Sequence, residues 1–223
     1  MAEKSGKELV RVVLDRYGQT YAEQAGIRLA DRPGPLYQLL VLTTLLSTRI
    51  SARIAIDAAR ELFAAGYTNP RAMVASAWQQ RVDALGRGHY RRYDERTATM
   101  LGRGAQLCLD RWRGDLRRLR AEARDQAAAS GASMVAVAQR LLTEFPGIGP
   151  TGADIFIREV QGVWPEFEPF LDRRVRSGAA KLRLPDAPEK LAGLVAAGQM
   201  PRLASALVRV DLDRAAPDEL RRG

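Results

Sequence analysis

Helical periodicity runs through almost the whole chain. Apolar side chains recur every three or four positions and strand-like alternation is nearly absent, so an all-α fold is expected. Helices are expected near residues 5–17, 35–48, 51–65, 70–76, 78–84, 91–109, 115–129, 133–145, 150–160, 172–182, 188–196 and 200–208. Pro33-Gly34-Pro35, Asn69-Pro70, Gly86-Arg87-Gly88, Gly131, and Pro165 with Pro169 supply the breaks. None reads as a flexible linker, and no internal repeat is found. The 223 residues, 46% of them apolar, suffice for one large domain or two small ones with a real core.

The sharpest local signal is LLTEFPGIGPTGADIFIREV, residues 141–160. An apolar helical pattern ends at Phe145 and Pro146, and another begins at Pro150 after Gly147-Ile148-Gly149 alone. A chain that leaves one helix and enters the next within about three residues needs positive φ, which glycine accepts cheaply. Without side chains at Gly147 and Gly149, backbone N–H groups can face outward beside a helix N-terminus, a setting suited to a phosphate oxygen. Pro150 fits the first helical turn, where its missing N–H costs nothing. An ordinary αα-hairpin would use the same residues.

Charge narrows the partners. Lys and Arg number 35 against 26 Asp and Glu, a net +9, which points to a polyanion or to the Arg- and Ala-rich composition of a GC-rich genome. The basic stretch RWRGDLRRLRAEARDQAAASGAS, residues 111–133, reads as a solvated helix face on which Glu122 and Asp125 offset some arginines. No run approaches the roughly 18 apolar residues that would span a bilayer, and MAEKSGKELV has no signal-peptide core; a cytoplasmic protein without membrane contact is expected. Cys108 is the one cysteine and His89 the one histidine, so an internal disulfide, a cysteine zinc site, a four-cysteine iron–sulfur cluster and a histidine-based triad all lack their residues. No metal or cofactor is expected.

The string F-P-G-I-G-P-T-G-A-D-I-F between two amphipathic helices resembles the helix-hairpin-helix of DNA-binding and DNA-repair proteins. Further stretches are similar, in order, to the endonuclease III-like glycosylases. GPLYQLLVLTTLLSTRIS resembles their opening helix and Leu-Leu-Ser-x-Gln turn, with Arg49 where glutamine is usual. LGRGHYRRYDERTATML resembles their Gly-x-Tyr loop, which puts His89 at the strand-wedging position and Tyr90 on the tyrosine. VWPEFEPFLDRRVRSGAAKL resembles the segment after the hairpin, where Asp172 matches an Asp that opens the next helix. The resemblance spans residues 34–184, with additional residues between Arg111 and the hairpin. It implies a two-domain helical fold: residues 34–158 carrying the hairpin, and residues 1–33 plus 159–223 forming a discontinuous second domain, with DNA across the cleft between them.

For chemistry, the resemblance implies hydrolysis of the N-glycosidic bond of a damaged or mispaired base in base-excision repair. The expected partner is double-stranded DNA holding such a base, bound by a monomer. Asp172 would be the catalytic residue, stabilising positive charge on the sugar and orienting water. It could equally be a plain helix cap, and both can hold; because Asn caps as well as Asp, Asp172→Asn is expected to cost little stability. Pro146, Gly147, Ile148, Gly149, Thr151, Gly152, Arg49, His89, Tyr90 and Arg174 would meet DNA, with Arg49 and His89 filling the gap left by a flipped nucleotide. His89 also fits an ordinary exposed loop, and Arg49 an ordinary helix-surface charge.

Two departures matter. Thr151 stands where bifunctional relatives carry a lysine, and a hydroxyl forms no imine, so lysine-dependent strand cleavage at this position is excluded. Asp211, Asp213 and a polar tail stand where many relatives have their four-cysteine cluster. Leu40, Thr44, Ser47, Tyr90, Asp154 and Trp164 are candidates to line a base pocket, Trp164 reading better as core. Alkylated purine, mismatched adenine, oxidised pyrimidine and uracil all remain open. The rival reading is a non-catalytic helix-hairpin-helix protein that binds DNA or senses lesions; a third is a protein-interaction scaffold with a purely structural hairpin.

Overall fold

In a computed structural model, which describes residues 5–213 and 215–222, the chain is all-α, with no strand among the described residues. It divides into two compact units, Ala22–Ile157 and a discontinuous one made of Met1–Tyr21 with Arg158–Gly223. Residues 1–4, 214 and 223, which the expected domains include, lie outside the described residues.

The continuous unit holds most of α2 (Tyr21–Gln24), then α3 (Pro33–Leu46), α4 (Ala52–Ala64), α5 (Pro70–Ala75), α6 (Trp78–Arg87), α7 (Asp94–Trp112), α8 (Leu116–Ser130), α9 (Met134–Leu142) and most of α10 (Pro150–Val160). Helix α3 buries every residue from Leu39 to Leu45 as well as Leu36 and Tyr37, and a helix apolar on all sides belongs at the centre of its unit. It packs on α4, α7 and α8, while α5 and α6 pack on α7 and α8 on α9. The starts are set by side-chain caps: Ser51 accepts from the Ile54 N–H at 3.4 Å, Asn69 from Ala72 at 3.0 Å, and Asp115 from Arg117 at 3.0 Å.

Arg81 is buried, and its guanidinium is held by backbone carbonyls and the Ser76 hydroxyl. Its Nε donates to the Ala98 carbonyl at 3.0 Å, and its Nη1 donates to the carbonyls of Met73 at 3.1 Å and Ser76 at 2.6 Å. A cation at the C-terminal carbonyls of α5 also complements the helix dipole.

Among the described residues, three of the six arginines in the basic stretch pair with acids, and Arg113, Arg117, Arg118 and Arg124 lie exposed. Arg111 pairs with Glu122 at 2.6 Å and with Glu144, Arg117 with Asp115 at 2.7 Å, and Arg120 with Asp31 at 2.9 Å. The Trp112 indole donates to Glu122 at 2.8 Å and its ring stacks on Phe145 at 5.1 Å, which anchors the approach to the hairpin. The Arg120–Asp31 pair, with Ala22, Ala25 and Ile27 buried, accounts for residues 22–33 lying with this unit.

The discontinuous unit holds α1 (Gly6–Tyr17), a 3-10 turn at Pro165–Phe167, α11 (Arg173–Lys181), α12 (Pro188–Ala192), α13 (Met200–Leu212) and α14 (Ala216–Arg222). A capping box starts α1: the Ser5 hydroxyl accepts from the Glu8 N–H at 3.3 Å, and the Ser5 N–H donates to the Glu8 carboxylate at 2.9 Å. Helix α13 is the core, with α1 and α11 against it and α14 on α1. The α11–α13 crossing is so close that a Cβ at Gly178 would lie 2.1 Å from the Leu207 carbonyl oxygen. No helix among the described residues is long and apolar enough to cross a membrane.

Candidate nucleic-acid interface

In the continuous unit, α9 runs into the hairpin through Phe145, buried on Trp112, and Ile148, which is 4% exposed. Burial of these two side chains pins the turn from beneath. The Ile148 side chain anchors the hairpin, and its N–H is spent on the Phe145 carbonyl at 3.0 Å. Gly147, Gly149, Pro150 and Thr151 form the exposed edge, with Pro146 half-buried.

The two glycines have different reasons to be there. Gly147 has φ +88°, and a Cβ on it would lie 2.8 Å from the Met100 sulfur, so the fold itself demands glycine. Gly149 has no left-handed φ, and a Cβ there would meet nothing within 4 Å. Gly152 is packed on the end of α3, its Cβ direction 2.4 Å from the Ser47 hydroxyl. The backbone N–H groups of Gly147, Gly149, Thr151 and Gly152 have no hydrogen-bond partner among the described residues. Three of these amides, on the exposed residues Gly147, Gly149 and Thr151, stand at the start of an 11-residue helix, a setting that suits an anion, while Gly152 is buried.

Arg49 lies exposed in the turn between α3 and α4. His89 is also exposed, in the left-handed region at φ 62°, which turns its ring out of the α6–α7 connection. Tyr90 is different. It is 0% exposed, with its whole side chain inside the unit. Its hydroxyl lies 2.8 Å from the Thr48 hydroxyl, which itself donates to the Leu45 carbonyl at 2.9 Å, and it accepts from Thr97 at 3.3 Å. Thr48 has spent its proton, so Tyr90 donates to it; burial pushes the phenol pKa up, which keeps that proton in place despite the opposing hydrogen bonds. Tyr90 thereby ties the turn carrying Arg49 to the loop carrying His89.

The other pocket candidates of this unit are committed internally. Thr44 donates to the Leu40 carbonyl at 2.9 Å and Ser47 to Thr43 at 2.7 Å, while Asp154 accepts from Gln139 at 2.6 Å and joins α10 to α9. The apolar depression under the hairpin, lined by Tyr37, Leu40, Thr44, Met100, Phe145 and Pro146, has an empty volume of about 230 Å³.

In the discontinuous unit, Asp172 caps α11: one carboxylate oxygen accepts from the Val175 N–H at 2.9 Å. The other accepts from Nη1 of Arg158 in a short ion pair, and the two side chains are 5% and 3% exposed. Sequence reasoning missed Arg158. Its signal was a charge inside the apolar run IFIREV, where a lone surface arginine would be out of place. Arg174 is exposed but is held by Asp211 at 3.1 Å, with Lys181 and the Ser177 hydroxyl on the same carboxylate. Burial pushes the Asp211 pKa up, but the hydrogen bonds from Ser177, Lys181 and Arg174 and the Lys181 charge outweigh it and hold the carboxyl below its ordinary range. Trp164 is 1% exposed beside Phe167 and belongs to the core.

No family model matches the chain, and no curated protein matches it. Among solved structures the chain is similar to a trapped covalent endonuclease III–DNA intermediate described as an estranged-adenine complex, and to a non-covalent endonuclease III–DNA complex. Each is 16% identical, with 92% of this chain and 85% of that chain covered and a TM-score of 0.47.

Proposed function

We propose that this protein is a monofunctional DNA N-glycosylase: it binds double-stranded DNA holding a damaged or mispaired base and hydrolyses the bond between that base and its sugar. The observation that carries the DNA-binding part is Gly149. The fold gives this position neither a positive φ nor a crowded neighbour, so its missing side chain serves whatever approaches the exposed amides of Gly147, Gly149 and Thr151 from outside. A backbone phosphate has the charge and the oxygen geometry for that place.

For the chemistry, as the C1′–N bond breaks, its electron pair leaves with the base, positive charge grows on the sugar, and water adds at C1′ with loss of a proton. A carboxylate such as that of Asp172 stabilises that charge. Thr151 on the hairpin edge offers no amine to attack C1′, so the product is an intact abasic site. One observation favours the rival, a lesion-binding protein without catalysis: each oxygen of Asp172 already accepts a hydrogen bond, one of them from a cation.

Incubation with duplexes carrying single lesions, followed by hot alkali, separates the two. Strand breaks at one lesion type support the glycosylase and name its substrate; tight binding without breaks at any lesion supports the sensor. Binding should weaken with salt at a log–log slope near −0.9 per phosphate contact. A salt-independent association would sink the phosphate contact.

Borohydride should trap no covalent adduct with the unmodified protein. A trapped adduct would show that another amine, such as Lys181, does lyase chemistry. Thr151→Lys, which places an amine on the hairpin edge, is expected to gain some trappable adduct.

A further inference from the structure

Asp172 does not stand alone in its unit, and what surrounds it is more than a cap requires. A cap needs one oxygen and one N–H, supplied here by Val175. The second oxygen is engaged by Arg158, a side chain only 3% exposed, which would be a costly way to reinforce a cap that is already made. Arg158 is itself held from behind. Its guanidinium carbon sits 5.7 Å from the centre of the Tyr21 ring, and the same ring carries Arg209 at 4.3 Å. The Nε of Arg158 and Nη2 of Arg209 are buried without hydrogen-bond partners, which suits N–H groups engaged with the π system of the shared ring.

Arg209 in turn donates to the carbonyls of Tyr17 at 2.7 Å and Gln19 at 2.6 Å, and Arg202 donates to Gly18 at 2.8 Å. These two α13 cations grip the end of α1 and so place Tyr21. A continuous set of contacts therefore runs from α13 through the 17–19 segment, the Tyr21 ring and Arg158 to the carboxylate.

We propose that Arg158, braced by Tyr21, is a positioning residue that fixes the plane of the Asp172 carboxylate and leaves its remaining lone pairs in one orientation toward the reacting sugar. This rests on the glycosylase reading above. The guanidinium keeps the carboxylate from turning to find other donors, so the charge needs no reorganisation as the sugar cation forms. A misplacement of about 1 Å in such a group costs on the order of a hundredfold in rate.

The test uses single-turnover base release and duplex affinity on the full chain, with the lesion duplex that gives strand breaks in the panel. Arg158→Met should lower the rate on the order of a hundredfold while affinity stays within about twofold, because phosphate contacts hold the duplex independently of the reacting carboxylate. Arg158→Lys, which keeps the cation, should recover most of the rate. If Arg158→Met does not fold, Tyr21→Leu removes the brace without removing the charge and should show the same split between rate and affinity. A folded Arg158→Met, or in its place a folded Tyr21→Leu, that releases base at the unmodified rate overturns the positioning role and leaves the glycosylase standing. Loss of rate that Arg158→Lys does not recover in a folded protein also overturns it. Absence of base release from every lesion by the unmodified protein overturns both.

Discussion

Asp172→Asn is expected to do two things at once: reduce base release at least about a hundredfold, and lower folding stability by about 3–5 kcal/mol. The first follows from the proposed role of this charge in stabilising the sugar cation. The second corrects what the cap alone would suggest. Asn replaces Asp at a helix N-cap at almost no cost, but the cap is only half of what this carboxylate does. Its other oxygen neutralises Arg158, and Asn would leave a guanidinium buried with no counter-charge.

The double variant Asp172→Asn with Arg158→Met tests this directly. Removing both charges of a buried pair is often neutral, whereas removing one is strongly destabilising. The double variant should therefore regain most of the stability lost by Asp172→Asn, measured by denaturant unfolding, without regaining base release. Additive stability losses would refute the buried pair. Recovery of base release in the double variant would remove Asp172 from the chemistry.

The hairpin glycines give the second large effect. Gly147→Val must hold a β-branched residue at φ +88° and displace the Met100 sulfur, 2.8 Å from the new Cβ. Strain and overpacking together should cost about 2–4 kcal/mol. Gly149→Val enters open space and should cost no more than about 1 kcal/mol, the price of a poor helix cap. Its affinity for DNA should still fall on the order of tenfold, equally for every sequence, if phosphate oxygens approach the amides at this point. Undiminished affinity of a folded Gly149→Val would take the hairpin amides out of the interface. A Gly147→Val as stable as the unmodified protein would contradict the turn geometry.

Most of the helical framework could be read from the residues alone, because period, caps and breakers act over a few positions. Helix α10 spans 150–160 as its pattern and Pro150 indicate, and α3 to α9 lie within a few residues of their expected bounds. The short α2, the 3-10 turn at Pro165–Phe167 and α14 were not legible. Each is too short for its own periodicity to show, and burial of Tyr21, Phe167 and Leu220 against other helices is what orders them.

The site divides the same way. Local sequence sufficed for the position of the hairpin, the exposed turn at Arg49 and the cap at Asp172, since each depends on neighbours within about four residues. Tertiary structure decided which of these residues are available. Tyr90 carries a hydroxyl that a binding surface could use, but its whole ring is buried and ties two loops together. Arg174 faces outward yet is paired with a carboxylate 37 residues away. Gly147 and Gly149 look alike as letters, and only the path of the backbone past Met100 separates a glycine the fold needs from one it does not. The Arg158–Asp172 pair joins residues 14 apart on different helices. No local pattern specifies it, because which face of a helix is desolvated depends on what packs against it, and that burial turns an ordinary pair of opposite charges into one that neither partner can lose alone.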